Sequence, residues 1–145
     1  MCLNNWGGID HKVLEFHEYV NLFSGKSGSG KSTVMDAIQV ILYGSFSPSF
    51  LNKAADDAKN RRSVLSYLRG EQKDGSANRK DCDFCSVIAL EIEDTGTHII
   101  TCIGIAFEVR KSDSEIKKFV YFSHSGKMPE SEYLTEPVSY THLTL

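Results

Sequence analysis

The chain has 145 residues, a formal net charge of -3 and 41 % hydrophobic residues, so it suits one globular domain or part of a larger one. The mild acidity excludes a global basic field, and any contact with nucleic acid needs a local patch or a partner chain. No apolar run approaches the ~20 residues that span a bilayer, and Cys2, Cys82, Cys85 and Cys102, irregularly spaced and without a signal peptide before them, read as reduced thiols of a cytoplasmic protein.

In chain order, the first candidate strand is Leu3 to Trp6, closed by a turn at Gly7 and Gly8. A second is Lys12 to Phe16, where Val13 alternates against Glu15. A third, Val20 to Phe23, leads into a glycine-rich stretch. Trp6 reads as a core residue in preference to a platform for an adenine ring.

The glycine-rich stretch is "GKSGSGKST", Gly25 to Thr33. A Gly/Ser linker has polar, structureless flanks. Here an apolar, β-prone segment precedes the stretch. "STVMDAIQVILYG" follows it, with Val34, Met35, Ala37, Ile38, Ile41 and Leu42 at helical spacing and Gly44 as the stop signal. The stretch fits G-x-x-x-x-G-K-[ST] as Gly25, Lys26, Ser27, Gly28, Ser29, Gly30, Lys31, Ser32, in the strand-loop-helix context that the pattern requires. By average residue frequencies such a match arises by chance in roughly one chain in a few hundred of this length. Each residue type has a chemical reason. Glycines permit backbone conformations and close approach that a side chain blocks. Turned amides form an anion-binding nest, and the helix start adds the positive end of its dipole. The sequence therefore predicts a phosphate cradle over Gly25–Thr33. Lys31 is the candidate catalytic residue reaching the β- and γ-phosphates, the Ser32 hydroxyl is the metal ligand, and Thr33 with its neighbouring amides holds the α-phosphate side. The expected ligands are ATP and Mg²⁺.

Beyond the helix, Ser45 to Ser49 reads as a turn-rich loop. Arg61 to Gly70 reads as a short helix ending at Gly70. Glu71 to Asp81 reads as an exposed, mobile connection. Lys53, Lys59, Arg61, Arg62 and Arg69 make this the most basic neighbourhood; it is a solvated surface, a contact for DNA phosphates, or the source of an arginine that approaches nucleotide phosphate. From Cys82 onward the period changes. Phe84 to Asp94 alternates as a strand, Asp94 to Thr97 is a hairpin turn, Thr97 to Lys111 is a long strand, and Ile116 to His124 is a third after a polar turn at Ser112 to Ser114. This is an antiparallel meander. Cys82 and Cys85 form a lone C-x-x-C with no second pair to complete a zinc site, Cys102 is a buried small apolar residue, and the histidines have no motif partners.

This organisation resembles the first lobe of an SMC-like or SbcC-like ATPase head. The carriers are the loop Gly25–Thr33, the helix with Asp36-Ala37-Ile38 ending at Gly44, and the antiparallel strands that follow. Asn5-Trp6, the loop Gly25–Thr33, Met35 to Gln39, Asn52 to Ala55 and Tyr67-Leu68-Arg69-Gly70 are shared with the MukB-like ATPases (JetC) of Wadjet-type plasmid defence, and the last two of these runs tilt the resemblance toward them. It covers roughly Leu3 to His124. It implies an α/β P-loop NTPase of ABC/SMC type, N-terminal lobe, with an antiparallel meander. It also implies a homodimer of heads around two ATP molecules, DNA engaged by the full assembly, and accessory kleisin-like and nuclease subunits with no membrane. In that family the Walker B acid, the catalytic glutamate and the signature motif come from elsewhere in the protein. This sequence has no heptad repeat and no Asp-Glu pair ending an apolar strand, so it is expected to be a truncated piece: 1–137 as the lobe, and 138–145, "VSYTHLTL", as a non-native tail resembling translated sequencing adapter. The expected function is ATP binding, with hydrolysis only in the full-length protein, in plasmid defence, chromosome organisation or repair. The alternatives are a self-contained P-loop kinase acting on a small molecule, against which the antiparallel strands weigh, and a non-catalytic scaffold that keeps the loop.

Overall fold

The computed structural model describes residues 1–45, 51, 63–72 and 75–128. Its elements are β1 (Cys2–Trp6), β2 (Ile9–Val13), α1 (Lys31–Tyr43), α2 (Val64–Leu68), β3 (Phe84–Glu93), β4 (Ile100–Val109) and β5 (Lys118–Ser125). The strands form one sheet in the order β2-β1-β3-β4-β5, and every pairing is antiparallel. The expected meander is therefore present, and the N-terminal hairpin extends it through the pairing of Leu3 with Ile88.

Alternation decides what each face buries. One face carries Leu3, Trp6, Ile88, Ile105 and Phe107. These pack with Val34, Ala37, Val40 and Ile41 of α1 and with Leu65, Tyr67 and Leu68 of α2. The other face carries a smaller cluster of Cys2, Ala89, Cys102, Ala106 and Phe122. Asn5 stands at φ 51 and its Nδ2 donates to the Cys85 carbonyl at 2.8 Å. This break in the extended backbone lets Trp6 join Leu3 on the helix-covered face.

Helix α1 forms where its apolar spacing predicts, and Gly44 ends it in the left-handed conformation (φ 61). Met35 and Leu42, counted with the apolar stripe, lie on its outer side at 44 % and 58 % exposure. Helix α2 starts at Ser63, whose side chain accepts the Ser66 N–H, a side-chain cap of the usual kind. The basic residues Lys53, Lys59, Arg61 and Arg62, the Ser45–Ser49 loop beyond Ser45, the Asn52–Ala55 run and the 138–145 tail fall outside the described residues.

Three expectations are corrected. Val20 to Phe23 is not a strand: no strand lies between β2 and α1, and Tyr19, Val20 and Leu22 are 87 %, 76 % and 88 % exposed. A strand exists only where a neighbour takes its backbone hydrogen bonds, and among the described residues no strand lies beside this segment. The strand expected at Lys12–Phe16 is instead Ile9–Val13, because the two-residue turn at Gly7-Gly8 brings Ile9 directly opposite Trp6. The connection after Gly70 is exposed at Gln72, Gly75, Ser76, Asn78, Lys80 and Asp81, as expected, but it is tied to the fold where Glu71 bridges Ala77 and Arg79 is buried. Among the described residues, no helix is long and apolar enough to cross a membrane.

Candidate functional site

The Gly25–Thr33 loop leads directly into α1. Its last residue before the helix, Gly30, adopts φ 89, and Gly28 adopts φ 82, a region that an L side chain rarely enters. Gly30 is the N-cap and supplies no side-chain hydrogen bond. The first helical amides, those of Lys31, Ser32 and Thr33, have no carbonyl one turn back. A glycine cap thus leaves these donors for a ligand where Ser or Asp would occupy one of them. Within the loop, Ser29 N–H donates to the Lys26 carbonyl at 3.2 Å.

The Lys31 ammonium closes the loop from the helix side. It donates to the Gly25 carbonyl at 2.6 Å, the Lys26 carbonyl at 2.8 Å and Ser29 Oγ at 3.3 Å. A positive charge is therefore fixed inside the turn by the loop's own backbone. Ser27 and Ser32 are exposed, and Ser32 stands in the first turn of α1. Thr33 is anchored inward: its carbonyl accepts Trp6 Nε1–H at 2.8 Å. Trp6 is thereby a core residue, as read from the sequence, with the added task of fixing the first turn of α1. One turn further, buried Asp36 accepts the Tyr67 hydroxyl at 3.2 Å, and Tyr67 lies against Trp6 with ring centroids 4.8 Å apart. The sequence offered no spacing that would pair Trp6 or Tyr67 with this helix, because both arrive from distant elements.

Beside the loop lies a cavity of 430 Å³. Gly28, Ser29, Gly30 and Thr33 form one wall, and the β1–β2 turn at Gly7, Gly8 and Ile9 forms a second. The third wall comes from the end of α2 and its return, with Tyr67, Gly70, Glu71, Gln72 and Asn78. Gly70 is where the second and third walls touch. It adopts φ +67, and a Cβ there would stand 2.9 Å from the Gly7 carbonyl oxygen.

Arg79 locks these two walls together. Its Nε and Nη2 donate to the Leu68 carbonyl at 3.1 Å and 3.0 Å, Nη2 also donates to the Gly7 carbonyl, and Nη1 pairs with Asp10 at 2.7 Å. It thus caps the C-terminal end of α2 and holds the β1–β2 turn. Burial pushes its guanidinium below the ordinary value, while Asp10 pulls the other way. Composition placed Arg79 in a polar loop, and only the fold shows that the carbonyls it needs converge on it. Arg69, also in the basic neighbourhood, is engaged by the backbone: Nη2 donates to the carbonyls of Arg110, Lys111 and Asp113 at 3.2, 3.0 and 2.9 Å.

No disulfide joins the four cysteines, and among the described residues no group of three or more His, Cys, Asp or Glu could hold a metal ion. Cys102 is buried, as expected for a strand residue.

Residues 1–58, the segment that contains this site, match the family model described as the P-loop containing region of AAA domain. The SbcC subunit of the nuclease SbcCD from Staphylococcus haemolyticus is 33 % identical over 72 residues, which is 47 % of this chain and 6 % of that protein. The chain therefore spans a small fraction of the curated relative it matches.

Proposed function

We propose that residues 1–137 are the N-terminal lobe of the ATPase head of an SbcC/SMC-like DNA-processing protein, and that Gly25–Thr33 bind the phosphates of ATP. The observation that carries this reading is the glycine-capped start of α1 opening on a cavity, with the Lys31 ammonium held in the loop. The donor set fits a polyphosphate: a lysine, uncapped helix amides and glycines at positions 25, 28 and 30. The match to a P-loop family model and the partial similarity to a nuclease component support the same reading.

In this reading Lys31 and the amides of Gly28 to Thr33 bind and orient the phosphates, and the Ser32 hydroxyl holds Mg²⁺. When bound there, Mg²⁺ supplies the charge neutralisation that phosphoryl transfer needs. Trp6, Tyr67 and Asp36 keep the first turns of α1 in place. The cavity walled by Gly7–Ile9 and by the return of α2 receives the nucleoside.

Isothermal titration of the chain with ATP and Mg²⁺ tests this. Saturable heat that disappears in Lys31→Ala is expected; no heat in either protein would refute it. The chain alone is expected to hydrolyse ATP negligibly, and rapid turnover lost on Lys31→Ala would contradict the fragment reading. Within the class, the sequence runs Asn52 to Ala55 and Tyr67 to Gly70 favour the MukB-like ATPases of plasmid-defence systems. That assignment carries with it a cytoplasmic homodimer of heads, DNA as the ligand of the assembly, and kleisin-like and nuclease subunits. Genes for those subunits beside the source gene would support it, and their absence would favour a chromosome-organising or repair relative.

A further inference from the structure

The third wall of the cavity carries chemistry that phosphate binding does not use. After α2 the chain turns back on itself. Glu71 bridges Ala77, Gln72 N–H donates to the Ser76 carbonyl at 2.7 Å, and Arg79 N–H donates to the Arg69 carbonyl at 3.0 Å. This return sets Asn78 against Gly70: its Cβ and Cγ lie 3.4 Å from where a Gly70 side chain would begin. Gln72 and Asn78 both line the cavity and both are exposed. Glu71, the charged residue of this wall, is turned elsewhere, since its Oε2 accepts the Ser66 hydroxyl at 2.5 Å.

We propose that Gln72 and Asn78 read the base of the bound nucleotide and select adenine over guanine; this rests on the phosphate-loop reading above. A carboxamide presents an N–H donor and a carbonyl acceptor side by side. That pair matches the amino group and N7 of adenine in a bidentate contact. The same edge of guanine offers two acceptors, O6 and N7, and a carboxamide can satisfy only one of them. The carboxylate that could accept guanine's N–H groups is engaged by Ser66. Ile9 and Tyr67 supply apolar surface for the ring, so the polar selection falls to the two amides.

The test uses the 145-residue chain and three probes with Mg²⁺: ATP, GTP and inorganic triphosphate. ATP should bind about fivefold or more tightly than GTP, the lower range for one good bidentate pair. The double variant Gln72→Ala/Asn78→Ala should bring that ratio close to one by weakening ATP. Its affinity for triphosphate should be unchanged, which also shows that it is folded. Asn78→Asp, which keeps the shape and removes the donor, should lower the ratio as well. An unchanged ratio in the double variant, or no preference in the parent chain, overturns the inference while triphosphate binding upholds the phosphate loop. A chain that binds none of the three probes refutes the phosphate loop and the inference together.

Discussion

Replacing Arg79 by alanine removes a side chain that joins the β1–β2 turn to the end of α2. The guanidinium satisfies the Leu68 carbonyl through two N–H groups and the Gly7 carbonyl through one. Both acceptors would be left without it, at about 1–3 kcal/mol each for a buried unpaired polar group. Asp10 is 82 % exposed, so losing that pair adds at most about 1 kcal/mol. Together these amount to about 2–7 kcal/mol, a large part of the roughly 5–15 kcal/mol by which a typical domain is stable. At roughly 2–4 °C per kcal/mol for a chain near this size, the melting temperature should fall by about 10 °C. Urea unfolding followed by circular dichroism measures the loss of stability. Arg79→Lys keeps the charge but cannot reach both carbonyls through a rigid fork, and should recover less than half of the loss. Because the two carbonyls belong to two cavity walls, ATP binding should weaken too. A change below about 1 kcal/mol in Arg79→Ala would show that the buried guanidinium does not hold these segments together.

Gly104→Ala should destabilise by about 1–3 kcal/mol as an overpacking change, since a Cβ there would meet the Phe122 ring and the Ile88 carbonyl; chemical denaturation that leaves the midpoint unmoved would contradict the β3–β4–β5 packing. The Asp94 carboxylate accepts Gly96 N–H and Thr97 N–H at 2.8 Å each. These bonds, that from Thr97 first, hold it below the ordinary carboxylate value. With the folded value below the unfolded one, its contribution is complete above about pH 4 and is lost as pH falls through the folded value. The Gly96 and Thr97 amide signals should titrate at that lower pH, and a midpoint at the ordinary value would contradict the turn. Val20→Ser should change the stability of this chain by less than about 0.5 kcal/mol, because Val20 is 76 % exposed; a larger loss in the same unfolding assay would show that the segment packs after all.

What the sequence makes legible is what neighbours in the chain decide. The apolar spacing from Val34 to Ile41 and the stop at Gly44 define α1 without help from elsewhere. Alternation and polar turns define β3, β4 and β5 to within a few residues. The G-x-x-x-x-G-K-[ST] spacing marks the loop because the backbone conformations at Gly25 and Gly30 (φ 154 and 89) are local demands. What stays hidden depends on partners far along the chain. Val20 to Phe23 has the composition of a strand, yet composition states a demand for a neighbour and does not supply one. The pairing of Leu3 with Ile88 spans most of the chain, and no local signal encodes it. Arg79 sits in a polar stretch and reads as surface until the carbonyls of Gly7 and Leu68 are brought to it. Trp6 could be read as core, but its hydrogen bond to Thr33, which ties the sheet to the end of the glycine-rich loop, belongs to the tertiary structure alone.

The most direct test of the proposed phosphate site is a titration of the ¹⁵N-labelled chain with ATP and Mg²⁺, following the amides of Gly28, Gly30, Lys31, Ser32 and Thr33. These signals should move together and saturate, and the same additions to Lys31→Ala should leave them in place. Signals that stay fixed in the parent chain, or that move on β5 and leave the loop untouched, would contradict the account.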